Sequence, residues 1–309
     1  MLSLVARTPF VPPELTRGPF TVEEARRAGL DRWHLEGASW RRLAHGRYVW
    51  AALSEAPHLS LAAARLNLPT SAAFSGKTSA WLHGLDVAPC EPIEMILPGR
   101  GSGWEKGSVT VRRAALDESE VVMRRGLRTT SLLRTLSDIT RNLTLLEAVV
   151  IVDLALHARL IKRSELSKWA DRSAGRKGVG AMRRVLEFAE AGAESPMETR
   201  LRMLLVLNGL PRPEVQVTIR DEAGSIIGRP DLFYREQRLG LEYDGETHRF
   251  SLVEDNRRQN RLLLADVRLL RFTGSDVLRR AEGVVIQVRN ALAQARPKAA
   301  YHSAMRASR

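Results

Sequence analysis

Cysteine is nearly absent from this sequence: Cys90 is the only one in 309 residues. A single thiol excludes an intrachain disulfide and any cysteine-built zinc module, and it fits a reducing compartment. Lysine is scarce as well. Of 48 basic residues only 6 are lysine, and none stands between Lys177 and Lys298, so no lysine chemistry is available from that stretch. Long apolar runs are missing. The best, Leu143 to Ile161, is interrupted by Glu147, Asp153, His157 and Arg159, too many charges for a bilayer span. Met1 to Phe10 has no basic start followed by a long apolar stretch, so it does not read as a secretory signal. A cytoplasmic protein with no membrane partner is the expectation.

What is present is charge of one sign. The sequence carries 48 basic against 35 acidic residues, a net +13, and positive excess favours a polyanion because neutralised phosphates release counterions. Arginine, with its planar fork, suits phosphate and guanine edges; GC-rich coding explains the arginine bias equally well. The excess is spread, with +2 in residues 1–57, +6 in 58–192 and +5 in 193–309, so no single tail holds it. A hydrophobic fraction of 44% is ordinary for globular chains and excludes a disordered or collagenous one. The length suggests two or three domains. The expected division is 1–57, 58–192, 193–295 and a basic, fraying tail at 296–309.

The first segment reads as two short helices and a hairpin. Thr21 and Glu24 form a capping box, the helix runs to Ala28, and Gly29 stops it. Asp31 is placed to cap a second helix over Arg32 to Glu36. Trp40 to Leu43 and Arg47 to Trp50 are strand-like runs around Ala44-His45-Gly46. Helix, turn, helix and hairpin is the winged helix-turn-helix order. Arg32 and His34 are expected to face DNA from the second helix, with Trp33 or Leu35 towards the core, and Arg41, Arg42 and Arg47 to populate the wing. The alternative is that these arginines are solvated edge residues that discourage strand pairing.

The runs Thr21 to Leu30 and Leu35 to Val49 resemble the N-terminal winged helix of AbiEi-type antitoxins, the repressor-like components of type IV toxin–antitoxin systems. The resemblance implies DNA and a cognate toxin as partners. It continues more weakly through the middle segment. There, Phe74 to Leu85 is expected to be a helix with a glycine stop, Ile93 to Leu97 and Ser108 to Arg113 strands, and Leu127 to Ser131 the opening of a helix. Helices are also expected over Leu145 to Arg159 and Val179 to Glu190. Ser75 to Ser79 resembles a phosphate loop only in part. It lacks the first glycine and follows no strong strand, so it reads as a helix start.

The last third carries the acids. Ser195-Pro196-Met197-Glu198 opens a helix that runs to Gly209. Glu214 to Arg220 alternates as a strand, and Arg229 to Tyr234 and Arg238 to Asp244 come after it as two more. A basic helix over about 253–265, a strand over Val267 to Phe272, and a final helix capped by Ser275 complete an αβββαβα order. The fold class expected is therefore a multidomain α+β protein: a winged helix, a middle α+β domain and a restriction-endonuclease-like domain. Glu242 and Asp244, two apart on one strand, share a face, and Asp231 on the neighbouring strand can converge with them. Like charges so placed repel unless a cation or proton intervenes, and such oxygen donors suit Mg2+ or Mn2+. Each acid also has a plainer account. Glu198 closes a capping box, Asp231 turns a strand start, and Glu242 and Asp244 pair with Arg229, Arg238 or Arg249.

Pro230-Asp231 followed by Glu242-Tyr243-Asp244 resembles the PD-(D/E)XK nuclease pattern, with Glu198 in the position of its leading helical acid. The wider run through Asp255 to Arg258 and Leu269 to Thr273 resembles a family related to the very-short-patch-repair (Vsr) endonucleases. This implies a metal-dependent DNA endonuclease or nickase with Asp231, Glu242 and Asp244 on the metal. Asp244 stands where the pattern has lysine. Vsr nucleases also lack that lysine, so the resemblance assigns proton transfer to His248. Arg249, Arg257, Arg258 and Arg261 are expected on phosphate, and Asp255 with Arg258 reads as a helix-surface pair. The competing reading is a repressor or antitoxin whose nuclease-like domain does not cut.

Overall fold

The computed structural model describes residues 10–53, 57–66, 68–175, 177–220, 224–245, 257 and 260–294. It is a mixed α+β chain with several sheets, divided into two compact units, Met1–Asp138 and Ile139–Arg309.

The first unit begins with β1 (Phe20–Thr21) running straight into α1 (Val22–Arg27). The capping box is formed: Glu24 N–H donates to Thr21 Oγ1 at 3.0 Å, and Thr21 N–H to Glu24 Oε2 at 2.6 Å. The expected second helix is instead a single 3-10 turn, His34–Glu36. The five-residue segment is too short to repay the cost of nucleating an α-helix. β2 (Trp40–Ala44) and β3 (Arg47–Trp50) form the hairpin, turned at Gly46 with φ +66°, and β1 pairs with β3 in a three-stranded sheet ordered β1-β3-β2. Phe20, Ala25, Leu30, Leu35 and Trp40 close its core, with the Phe20 ring edge-on to Trp40 at 5.1 Å. Trp33, by contrast, is 68% exposed.

After α2 (Pro57–Arg65) come β4 (Ala73–Phe74), α3 (Gly76–Leu82), β5 (Ile93–Pro98), β6 (Trp104–Lys106), β7 (Val109–Ala114), β8 (Val121–Arg124) and β9 (Leu127–Thr130). Six strands form one sheet ordered β6-β7-β5-β4-β9-β8. The segment Leu127–Thr130, expected to open a helix, is thus a strand. Its two β-branched threonines favour the sheet, and α4 (Leu132–Asn142) starts only afterwards. Behind α3, the hydroxyls of Ser79, Thr129, Thr130 and Thr135 are buried and bond one another at 2.7–3.0 Å, which satisfies groups that burial would otherwise penalise. The start of α3 faces a protein carboxylate: Lys77 N–H donates to Glu94 Oε2 at 2.5 Å. Where a phosphate loop would meet an anion, this chain supplies its own.

The second unit contains α5 (Leu145–His157), α6 (Arg163–Arg172) and α7 (Val179–Phe188), then α8 (Pro196–Leu207). The run 214–220 does not stay one strand. Gln216 takes a left-handed φ of +52° and splits it into β10 (Glu214–Val215) and β11 (Ile219–Arg220). β11 pairs with β12 (Ile226–Gly228) as a separate ribbon. β10 joins β13 (Leu232–Tyr234), β14 (Leu239–Asp244) and β15 (Arg268–Thr273) in the order β10-β13-β14-β15. β13 and β14 are antiparallel; β14 and β15 are parallel, with Glu242 beside Arg271. Residues 257 and 260–264 are helical, as the basic segment predicts. Thr273, not Ser275, caps the helix after β15, accepting from Asp276 N–H, and the expected single helix breaks at Arg280 into α9 (Gly274–Arg279) and α10 (Ala281–Ala293). Leu201, Leu205, Leu239, Leu241, Phe272 and Val288 are among the residues that build the core between α8, the sheet and the last two helices.

Candidate functional site

The acids predicted from sequence partly meet at the mouth of this sheet. Ser195 Oγ accepts from Glu198 N–H at 3.2 Å and starts α8. The Glu198 side chain does not return the bond to the cap. Its Oε2 accepts from Glu194 N–H and from Gln216 Nε2, both at 2.9 Å, and the residue is buried. The same Gln216 amide reaches Asp231 Oδ1 at 2.9 Å. Asp231 Oδ2 accepts from Tyr243 N–H at 2.7 Å, which ties the head of β13 to β14. One carboxamide thus holds two carboxylates together. Glu242 lies on β14, and its Oε2 is 3.2 Å from Arg271 Nε.

This crowding sets the electrostatics. Burial pushes Asp231 up to about 6, and the negative charges of Glu198 and then Glu242 add to the rise, against the hydrogen bonds from Tyr243 and Gln216. A carboxyl poised there takes up and releases protons near neutrality, a property common at functional sites. Asp244, at the strand end, is exposed. Among the proposed ion-pair partners, Arg229 pairs with Glu194 at 2.9 Å, and Arg238 donates to the carbonyls of Ala265 and Asp266. The guanidinium on Glu242 belongs instead to Arg271, a pairing that no local sequence signal marks. Arg257 and Arg261 are exposed. His248, Arg249, Asp255 and Arg258 lie outside the described residues.

The next turn of α8 meets a second buried acid, Asp153, paired with Arg202. Arg202 is fully buried; its Nη2 donates to Asp153 Oδ2 at 2.6 Å and its Nη1 to Phe188 O at 2.7 Å. Thr199 Oγ1 donates to Asp153 Oδ2 at 2.9 Å, and Glu190 N–H to Oδ1 at 2.7 Å. Burial pushes Asp153 up to about 6 even though Arg202 pulls it down. Arg200 pairs with Glu147 at 2.9 Å. This helix therefore joins α5 and α7 to the acid-bearing sheet through consecutive turns.

In the first unit, Arg32 is exposed. His34 Nδ1 accepts from Asp31 N–H at 3.0 Å, and its ring stacks on Trp33 at 3.6 Å. Arg41 Nη2 donates to Leu53 O at 3.2 Å, and Arg42 Nη2 lies 3.2 Å from His45 Nδ1. Arg47 donates to Gly46 O at 3.1 Å and to Leu66 O at 2.8 Å. Arg41 and Arg47 thus bind backbone carbonyls of their own unit, a structural use beyond the one expected of a wing.

Residues 71–188 match the family model described as the AbiEi antitoxin C-terminal domain. This is the middle segment, where the sequence resemblance was the weaker. The chain is 31% identical over 167 residues to two uncharacterized proteins of Mycobacterium tuberculosis, MT2308 and Rv2248, an alignment covering 54% of this chain. It spans 60% of the length of these curated relatives. Among solved structures, the crystal structure of the RV2827C protein from Mycobacterium tuberculosis is similar at 15% identity and a TM-score of 0.40, covering 66% of this chain and 84% of that one. Among the described residues no helix is long and apolar enough to cross a membrane.

Proposed function

We propose that this protein is a DNA-binding regulator of the AbiEi antitoxin kind, acting as a repressor and with a cognate toxin as its second partner. The match of residues 71–188 to the antitoxin domain carries this reading. Two features support the DNA part. Residues 20–50 form a capped helix, a 3-10 turn and a two-stranded hairpin, part of the element order of a winged helix, and the net charge is +13. In this reading residues 1–57 contact DNA, 58–192 form the antitoxin-like body, 193–295 are a binding platform on a nuclease-like fold, and 296–309 are a basic tail. The test is a reporter driven by the DNA upstream of its own gene, with a gel-shift of the same fragment. Repression with a shift is expected, together with relief of growth arrest when a neighbouring nucleotidyltransferase-like toxin is co-expressed. Absence of both repression and a shift sinks the reading.

One observation favours a second reading, DNA cleavage: Glu198 and Asp231 share one amide beside Glu242. Phosphodiester hydrolysis at such a site draws on Mg2+ or Mn2+, which polarises phosphate and water. Asp231, Glu242 and Asp244 are the residues such an ion would take, with His248 in the chain nearby. Among the described residues no three His, Cys, Asp or Glu side chains form a group able to hold a metal, and Arg271 engages Glu242. As they stand the described residues do not fit the ion, so no step is assigned to it. Incubating supercoiled plasmid with the protein and either ion tests the reading. Cleavage lost in Glu242→Ala and Asp231→Ala supports it; intact plasmid with wild-type protein removes it.

A further inference from the structure

We infer that Trp33, stacked on His34, is a platform for an unpaired nucleobase of DNA. The inference rests on the reading of residues 1–57 as a DNA-contacting module and names what part of the DNA its second element takes. That element is too short to work as a recognition helix. A helix lying in a major groove reads bases with several side chains over two or more turns, whereas His34–Glu36 is one 3-10 turn. What the turn does present is an aromatic pair. Trp33 is 68% exposed, the most exposed aromatic residue among those described.

The indole is held in place. Its ring lies 27° from the plane of the His34 imidazole with centroids 3.6 Å apart. The imidazole is in turn fixed by the Asp31 N–H on Nδ1 at 3.0 Å, which in the neutral ring leaves the proton on Nε2. Leu35, 3% exposed, anchors the turn in the core beside them. Such preorganisation lowers the entropy cost of binding a flat partner.

The stacking also selects the partner. A side chain wedged between two base pairs needs both of its faces free; here His34 covers one face of the indole. A base inside a duplex has both faces covered by its neighbours, whereas an unpaired base has a free face to offer. One-sided stacking on an aromatic side chain is the manner in which single-stranded nucleic acid is held. The exposed Arg32 next in the chain suits a phosphate beside such a base.

The experiment compares anisotropy of three labelled DNAs of one sequence with the full-length protein: an intact duplex, the duplex with a three-nucleotide single-stranded gap, and the single strand. Wild-type protein is expected to bind the gapped duplex about 10-fold more tightly than the intact one. Trp33→Ala is expected to abolish that preference while keeping the affinity for intact duplex, and Trp33→Phe to retain most of it. Thermal unfolding of each variant shows whether the fold survives; Trp33 lies outside the core, so unchanged melting is expected. Equal binding of gapped and intact duplex by wild-type protein overturns the inference, as does a gap preference that persists in Trp33→Ala. Single-stranded RNA of the same sequence, run beside the three DNAs and bound more tightly than any of them, also overturns it. Wild-type protein that binds none of the three DNAs sinks the DNA reading itself.

Discussion

Asp153 and Asp231 are both lifted to about 6, and burial is the main cause for each. Their surroundings differ in kind. Asp153 sits against a fully buried guanidinium and accepts three hydrogen bonds, from Arg202, Thr199 and Glu190. Asp231 accepts two bonds from neutral donors and faces two further carboxylates, Glu198 and Glu242. An acid held by an opposite charge and full hydrogen bonding is a fastening. An acid held against other acids is a place where repulsion is kept, and such places are found where a protein meets a ligand or moves a proton. Both acids are reached from the first turns of α8, Asp231 through Gln216 and Glu198 and Asp153 through Thr199 and Arg202, so one short stretch of helix serves structure and candidate function alike.

The comparison breaks most visibly at Arg202. Removing it alone leaves Asp153 buried without its counter-charge, and a loss of about 3–5 kcal/mol is expected. The pair Asp153→Leu with Arg202→Met should recover most of this, because both desolvated charges are gone. Urea unfolding of the three proteins measures it, and a single variant costing under about 1 kcal/mol would contradict the fastening.

Proton linkage separates the two acids more finely. A carboxyl raised from 3.8 to about 6 in the folded protein holds a proton that the unfolded chain releases. Stability therefore falls as pH rises through that window and is level above it, by about 2–3 kcal/mol for each such group. Asp231→Asn should remove its share of the slope and be the more stable protein at pH 7, while Asp153→Asn loses the Arg202 pairing and is the less stable. Denaturation between pH 4 and pH 7 gives both signs; identical behaviour of the two variants would erase the distinction.

Gln216→Leu should cost about 1–3 kcal/mol, the usual penalty for leaving buried acceptors unsatisfied, and should raise the titration midpoint of Asp231 further. Carboxyl NMR reads the midpoint directly. The smallest effect is expected at Arg271→Met. Its ion pair with Glu242 is partly open to solvent, so a change of about 1 kcal/mol or less is expected by thermal unfolding. A loss as large as that of Arg202→Met would place Arg271 among the fastenings.

Much of the scaffold was legible in the sequence because local signals agree with tertiary structure. The Thr21–Glu24 box, the Gly46 turn, the Ser195–Pro196 helix start and the strand ending in Asp244 all formed where the residues predict. Glu198 was singled out at the helix start, and Asp231, Glu242 and Asp244 as acids on neighbouring strands. Gln216 was missed because Glu214 to Arg220 alternates well enough to pass for one strand; only the φ of +52° that breaks it turns the amide towards the acids. Arg271 was missed because a parallel neighbour 29 residues away leaves no local trace. The Arg202–Asp153 fastening was hidden for the same reason. Arg202 reads as one more arginine in an arginine-rich chain, and nothing in the spacing says that it is fully enclosed.

The double duty of α8 bears on how this protein can be cut and recombined. A chain ended at residue 192 would keep Asp153 and strip it of Thr199 and Arg202; one begun at 193 would carry an enclosed guanidinium with its counter-ion deleted. The seam suggested by charge and composition is thus a poor place for scissors. Fragments that keep residues 145–207 together are the ones to exchange between relatives, since the joint then travels whole.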